Sequence, residues 1–148
     1  MTLSSGIYKI HSSKTHYATG TNIGDFVRAL PPQEGDADQV WRVQSVEEEG
    51  DNVYVILPSV PKPGAFSIEG GVRPGGPISF EMPPAPFFIT PKDDDKHVYV
   101  ITPKGGPIGV RFAVVVEEIE GKPTLVVDPF PLDSDKSLPG WVFTPVEN

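Results

Sequence analysis

The chain contains no cysteine, and this absence excludes disulfide bonds, thiolate metal sites and a cysteine nucleophile. Basic residues are also few, because 12 Lys and Arg face 20 Asp and Glu and leave a net charge of −8 at pH 7. This balance argues against nucleic acid or an anionic membrane as a partner. No apolar run approaches the roughly 20 residues of a membrane span, and the first residues lack the pattern of a signal peptide. We therefore expect a cytoplasmic protein.

Helical periodicity is missing as well, because Pro and Gly, 18 and 15 in 148 residues, interrupt nearly every candidate window. Short β-branched and aromatic runs take its place and predict one all-β domain over residues 1–148, a barrel or a sandwich. Twelve candidate strands can be read: Ile7–Ile10, Tyr17–Thr19, Phe26–Leu30, Val40–Val46, Val53–Leu57, Ala65–Ile68, Ile78–Glu81, Phe87–Thr90, Val98–Thr102, Ala113–Val116, Thr124–Val127 and Trp141–Thr144.

Internal repetition favours the barrel. A Tyr-x-Ile motif begins at Tyr8, Tyr54 and Tyr99, with spacings of 46 and 45 residues. An aromatic strand follows each copy, at Trp41, Phe87 and Trp141. Three units of this kind, approximately residues 1–50, 51–95 and 96–148, predict a β-trefoil, in which six strands close a barrel and three hairpins cap it. The matched aromatic residues would form the core of that barrel.

The residues of catalysis are largely absent. No serine lies in a G-x-S-x-G context, no H-E-x-x-H occurs, and the glycines of Gly70–Gly76 lack the Lys-Ser/Thr of a phosphate loop. The acidic run Asp93–Asp95, with His97 nearby, is typical of a solvated turn rather than a cation site. We therefore expect no enzyme, no cofactor and no metal.

A rigid barrel with many loops favours binding. Two classes of β-trefoil binding protein are candidates: sugar-binding lectins and protease inhibitors. Ricin-type lectins carry Gln-x-Trp near the end of each repeat, and here Gln39-Val-Trp41 matches once, whereas Ala85-Pro-Phe87 and Pro139-Gly-Trp141 do not. A β-trefoil carbohydrate-binding lectin is kept as the alternative function.

An ordered series of short motifs carries a family resemblance. These motifs are Gly6–Tyr8, Tyr17–Thr19, Gln39–Trp41, Val98–Pro103, Ile108–Val110, Leu125–Val126, Phe130–Asp133 and Trp141–Thr144. In this order and spacing they resemble the mycocypins, mushroom β-trefoil inhibitors of cysteine proteases of the clitocypin type, and the related cocaprins. The match spans most of the chain and is least clear over residues 59–86.

The resemblance implies a reversible inhibitor that occludes the cleft of papain-like cysteine proteases with trefoil loops and performs no chemistry itself. Since the cocaprins add aspartic proteases to their targets, it also implies a separate site for pepsin-like aspartic proteases. We expect a monomer or a weak homodimer.

The loop between strands 2 and 3 is the leading candidate for the protease contact, because cocaprin-like proteins use it against cysteine proteases. Its residues are Thr21, Asn22, Ile23, Gly24 and Asp25. Ile23 offers an apolar anchor, and Gly20 and Gly24 would let the backbone approach a narrow cleft. An ordinary tight turn is the competing interpretation. Two neighbouring loops supply secondary candidates: Ser13, Lys14 and Thr15, and Pro32, Gln33 and Glu34.

Legumain inhibition should be weak or absent. Mycocypins inhibit this asparagine-specific protease through an Asn between strands 5 and 6, and the corresponding Ser59–Gly64 contains none. A steady-state legumain assay checks this expectation. Nanomolar inhibition that survives the Asn22→Ala substitution would contradict it, because Asn22 is the one asparagine in a candidate loop.

Overall fold

Thirteen strands and two short 3-10 turns make up the computed structural model, which describes residues 2–92, 97–132 and 138–146. The strands are β1 (Gly6–Ser13), β2 (His16–Thr19), β3 (Arg28–Leu30), β4 (Trp41–Ser45), β5 (Val53–Pro58), β6 (Phe66–Ser67), β7 (Gly76–Pro77), β8 (Ser79–Phe80), β9 (Phe87–Pro91), β10 (Val98–Pro103), β11 (Arg111–Ile119), β12 (Lys122–Phe130) and β13 (Trp141–Pro145). The 3-10 turns are Ala37–Gln39 and Glu47–Glu49. Within these described ranges, no helix has the length and apolar character needed to cross a membrane.

Six of the strands close into a barrel. β1 pairs with β4, β4 with β5, β5 with β9, β9 with β10, and β10 with β13, which returns to β1; every pairing is antiparallel. The hairpins β2–β3, β6–β8 and β11–β12 cover one end, and β12 also pairs with β3 and β7. Closure satisfies the backbone groups that an open sheet would leave at its edges. The predicted all-β trefoil fold is confirmed.

The register of the barrel strands repeats three times. Each tyrosine of the sequence repeat lies opposite the aromatic residue of its own unit: Tyr8 opposite Trp41, Tyr54 opposite Phe87, and Tyr99 opposite Trp141. A second layer repeats in the same way, with Val43 opposite Ile56, Ile89 opposite Ile101, and Phe143 opposite Ile10. Members of the second layer are completely buried. The division into units near residues 50 and 95 stays our proposal.

Two indole groups tie the barrel to its cap. Trp41 Nε1 donates to the Ala18 carbonyl at 2.9 Å, and Trp141 Nε1 donates to the Val114 carbonyl at 2.7 Å. Phe87, at the matching position of the second unit, has no N–H group and packs edge-on against Phe66, with 6.1 Å between ring centroids. A tryptophan side chain therefore hydrogen-bonds the barrel to the cap in two of the three units, the first and the third.

All twelve predicted strands overlap strands of the structure, although most bounds shift, and two segments differ in their pairing. The segment predicted from Phe26 becomes β3 only at Arg28, and Phe26 forms an isolated bridge to Ser79. The segment around Ile78 is divided into β7 and β8, because Ile78 N donates to Leu125 O while the next residues pair with β6. A change of pairing partner within one extended segment leaves no trace in the hydrophobic pattern.

The N-terminal residues close the barrel end opposite the hairpins, where β1, β5 and β10 begin. Leu3 is buried there, and its carbonyl accepts a hydrogen bond from the Tyr54 hydroxyl at 2.5 Å. The Tyr8 hydroxyl donates to the Ser4 carbonyl at 2.6 Å. Burial raises the pKa of both tyrosines, and the neighbouring Tyr99 adds to the rise because a second phenolate would be repelled.

Alkaline pH should weaken this fold. Since the folded-state pKa values of Tyr8 and Tyr54 lie above the value of about 10 in the unfolded chain, the stabilisation is complete below about pH 10 and is lost as the pH rises through the folded-state values. We expect the free energy of unfolding, measured in urea between pH 8 and 11.5, to fall above about pH 10. The fall should be shallower in the double variant Tyr8→Phe/Tyr54→Phe, and equal slopes in both proteins would contradict this assignment.

Candidate functional site

The leading candidate residues form one exposed turn between β2 and β3. All side chains from Thr21 to Asp25 are exposed, and Ile23 is 48% accessible. Asp25 N donates to the Asn22 carbonyl at 3.1 Å, so Ile23 and Gly24 occupy the two central positions of a four-residue turn. Gly24 has a φ of +93°, which side-chain-bearing residues rarely adopt. Because Gly24 can adopt this conformation, the chain reverses there and leaves Ile23 exposed at the corner of the turn.

Backbone hydrogen bonds hold the turn on both sides. On its approach, Gly20 N donates to the Asp38 carbonyl at 3.0 Å. At its far side, Gly24 N donates to the Phe80 carbonyl at 2.9 Å, and Phe80 N donates to the Asp25 carbonyl at 2.8 Å. A segment fixed in this way loses little conformational entropy when it enters a binding partner.

Charged side chains reinforce the base of the turn. Lys62 Nζ lies 2.7 Å from Asp38 Oδ1 and 3.1 Å from the Gly20 carbonyl, which links the β2–β3, β3–β4 and β5–β6 loops. On the opposite side, Arg28 lies 3.5 Å from Asp25 and 3.4 Å from Glu120 at the tip of the β11–β12 hairpin. The corner that carries Ile23 is thus attached to three neighbouring segments.

Gly20 is buried against the aromatic core. A Cβ atom at this position would lie 2.6 Å from Trp41 Cη2 and 2.9 Å from Phe80 Cδ1. The glycine is required for close packing against the aromatic core beneath the loop. Its proposed role of admitting the backbone to a protease cleft has no support in its position.

The secondary candidates lie at the other end of the β2–β3 ladder. Tyr17 pairs with Leu30 and Thr19 with Arg28, so Ser13–Thr15, before β2, and Pro31–Gly35, after β3, share one end. The turn at Lys14 and Thr15 joins β1 to β2 directly. The structure therefore brings the two secondary loops to one end of the ladder and places Thr21–Asp25 at the other.

Gln39 fixes the β3–β4 loop from within. Its buried amide accepts from Gln33 N at 2.9 Å and donates to the Pro31 carbonyl at 2.9 Å and to Thr19 Oγ1 at 3.2 Å. Pro32, Gln33 and Glu34 lie exposed on this internal support. Because Trp41 is also buried, both side chains of the Gln-x-Trp motif are committed to the fold rather than displayed for a sugar.

The pKa of one histidine near the first loop, His11, is lowered. His11 stacks on Tyr17 with 4.3 Å between ring centroids, and burial lowers the pKa of its imidazole, so it is neutral at pH 7. Its Nδ1 atom is buried without a hydrogen-bond partner. In the described ranges, no group of three or more His, Asp or Glu side chains could hold a metal ion. Asp93–Asp95 lie outside these ranges.

Sequence reasoning missed Ile108, the most exposed of the large apolar side chains that the structure describes. It precedes Gly109, just as Ile23 precedes Gly24, and Ile-Gly occurs in the chain only at these two places. That dipeptide was the available signal.

Comparison with known proteins places this geometry in context. A family model described as "Peptidase inhibitor clitocypin" matches residues 6–143. The Rhizoctonia solani agglutinin superposes with a TM-score of 0.74 at 13% identity, with 99% of both chains covered. The Macrolepiota procera ricin B-like lectin, solved in complex with lactose, gives 0.71 at 14% identity and covers 99% of this chain and 100% of its own. Comparison with curated protein sequences gave no significant match. At these identities the two structural matches show the β-trefoil fold alone.

The packing of Gly20 can be tested by Gly20→Ala. We expect a loss of about 1–3 kcal/mol in the free energy of unfolding, because the added methyl group overpacks the core. The matched control is Gly6→Ala, where the new Cβ would meet Tyr8 at an ordinary 3.5 Å. Urea unfolding of both variants measures the difference. Equal stabilities would contradict the packing role.

Proposed function

The chain belongs to the clitocypin family of peptidase inhibitors, and from this premise we propose that it blocks papain-like cysteine proteases by inserting the Thr21–Asp25 turn into their active-site cleft. Family membership implies a cysteine protease inhibitor without enzymatic activity. The observation that supports this turn as the inserting element is the half-exposed Ile23 at a corner whose backbone is hydrogen-bonded on both sides.

The physical basis is burial of an apolar anchor from a preorganised loop. Full burial of an isoleucine side chain contributes about 1.5–3 kcal/mol, and the fixed backbone reduces the entropy lost on binding. Occlusion of this kind needs no nucleophile. It predicts reversible competition with substrate.

The loops Ser13–Thr15 and Pro32–Glu34 form the second candidate surface. They lie at the same end of the β2–β3 ladder, as a two-loop wedge into a cleft requires. The internal support from Gln39 gives the second loop a fixed shape as well. This surface and the Thr21–Asp25 turn lie at opposite ends of the ladder, so substitutions can separate them.

Two further functions remain to be tested beside this one. Inhibition of pepsin-like aspartic proteases rests on the cocaprin resemblance and is assigned to no residue. The lectin alternative is weakened because the second and third units lack the Gln-x-Trp motif. The cytoplasmic location stays a prediction.

The decisive experiment is a steady-state inhibition assay against papain, with wild type and Ile23→Ser. We expect competitive inhibition by the wild type. Loss of the anchor should raise the inhibition constant about 3- to 12-fold, because the half-exposed side chain gains about half of the 1.5–3 kcal/mol of full burial on binding. Since Ile23 is already half-exposed, the melting temperature should change little.

Val60→Ser is the matched control, because Val60 is an exposed aliphatic residue outside the candidate loops. An unchanged constant for Ile23→Ser, combined with a raised one for Lys14→Ala or Gln33→Ala, would move the site to the second surface. Absence of papain inhibition, together with sugar binding on a glycan array, would overturn the proposed function.

A further inference from the structure

A second turn of the fold has the same exposed Ile-Gly corner as the Ile23 turn. Pro107–Val110 are exposed, with Ile108 and Gly109 at the two central positions. The φ of Gly109 is +89°, against +93° for Gly24. Ile108 is fully accessible, about twice as exposed as Ile23. The fold thus displays an isoleucine before a left-handed glycine at two separate places.

The chain that leads into this second turn is held by contacts of Lys104. Lys104 N donates to the Pro86 carbonyl at 3.2 Å, and Lys104 Nζ lies 3.1 Å from Glu49 Oε1. Gly106 lies against Val72 and Phe112, at distances where a Cβ would make ordinary contacts of 3.5 and 3.6 Å. Only the stretch from Pro107 to Val110 projects from these anchors.

Two more apolar side chains near Ile108 are exposed, one just before β11 and one just after β12. Val110 and Leu132 are 41% and 54% exposed. Beside them lies a groove of about 260 Å³, whose lining includes Phe88, Pro107 and Leu132. Arg111 Nη2 donates to the Leu132 carbonyl at 3.3 Å and fixes the rim. Contiguous exposed apolar surface of this kind marks a binding site more often than a single exposed side chain does.

The two turns are far apart. The Ile23 turn is attached through Arg28 to Glu120, at the hairpin end of β11, whereas the Ile108 turn precedes the opposite end of that strand. The nine residues of β11 span about 26 Å at the usual rise per residue. Two partners can therefore approach the molecule from different directions.

We propose that the Pro107–Val110 turn is a second inhibitory head, which enters the cleft of a second papain-like protease molecule, so that one inhibitor holds two enzymes. This inference rests on the proposed function. The Ile23 turn is proposed to bind a papain-like protease, and the second turn, which has the same exposed isoleucine before a left-handed glycine, is assigned the same kind of partner. The two binding steps should differ in affinity, because Ile108 is fully accessible whereas Ile23 is half-exposed.

Active-site titration measures the stoichiometry directly. Papain at a concentration well above the inhibition constant is titrated with inhibitor, and the mass of the complex is determined by light scattering. We expect one wild-type inhibitor to inactivate two papain molecules. Ile108→Ser should weaken one of the two binding steps and leave the other unchanged, and Ile23→Ser should weaken the other step. The control Val60→Ser should retain two.

The outcomes separate this inference from the proposed function. Failure of the wild type to inhibit papain overturns both, whereas a wild-type ratio of one that Ile108→Ser leaves unchanged overturns the second head alone. A ternary complex with one papain and one pepsin, lost in Ile108→Ser, would overturn the papain-like occupant in favour of an aspartic protease. A dimer of the free inhibitor that Ile108→Ser converts to monomer would overturn it in favour of a second copy of the chain.

Discussion

The antiparallel closure of six strands around two aromatic and aliphatic layers is the constraint on which the rest of this molecule depends. Tyr8, Tyr54 and Tyr99 each face the aromatic residue of their own unit, and completely buried aliphatic and aromatic pairs repeat behind them. Because the barrel has no free edge, its strands cannot slide without losing a whole layer of contacts. Loops attached to such a frame can vary in sequence while their ends stay in place.

The barrel core determines where the two candidate inhibitory turns lie on the surface. At the first turn, the Trp41 and Phe80 rings lie directly beneath Gly20, so the core determines where the loop leaves the barrel. Before the second, Lys104 N is hydrogen-bonded to the Pro86 carbonyl. In each case an exposed isoleucine is followed immediately by a left-handed glycine that reverses the chain. The position of each apolar tip therefore follows from packing and hydrogen bonds a few residues away.

Much of the fold could be predicted from the sequence because large aromatic residues recur at matched positions of its three repeats. The spacing of Tyr8, Tyr54 and Tyr99 corresponds to a spatial register, and all twelve predicted segments are strands. The change of pairing partner at Ile78 could not be predicted, since it depends on which neighbour lies nearer in space. The full exposure of Ile108 could not be predicted either, although its Ile-Gly dipeptide was visible. The steric demand at Gly20 comes from the rings of Trp41 and Phe80, which lie 21 and 60 positions away in the chain.

The pairing of the first strand with the last has a consequence for how the protein comes to be folded. Since β1 is hydrogen-bonded to β13, with Tyr8 opposite Pro145, the barrel cannot close until β13 has been synthesised. The local hairpin β11–β12 can form on its own timescale of microseconds, but closure brings together residues more than 130 positions apart. Folding dominated by such distant contacts is typically slow, in milliseconds to seconds. During that interval the apolar faces of the early strands are exposed, so the nascent chain is the stage at which this protein is most vulnerable to aggregation.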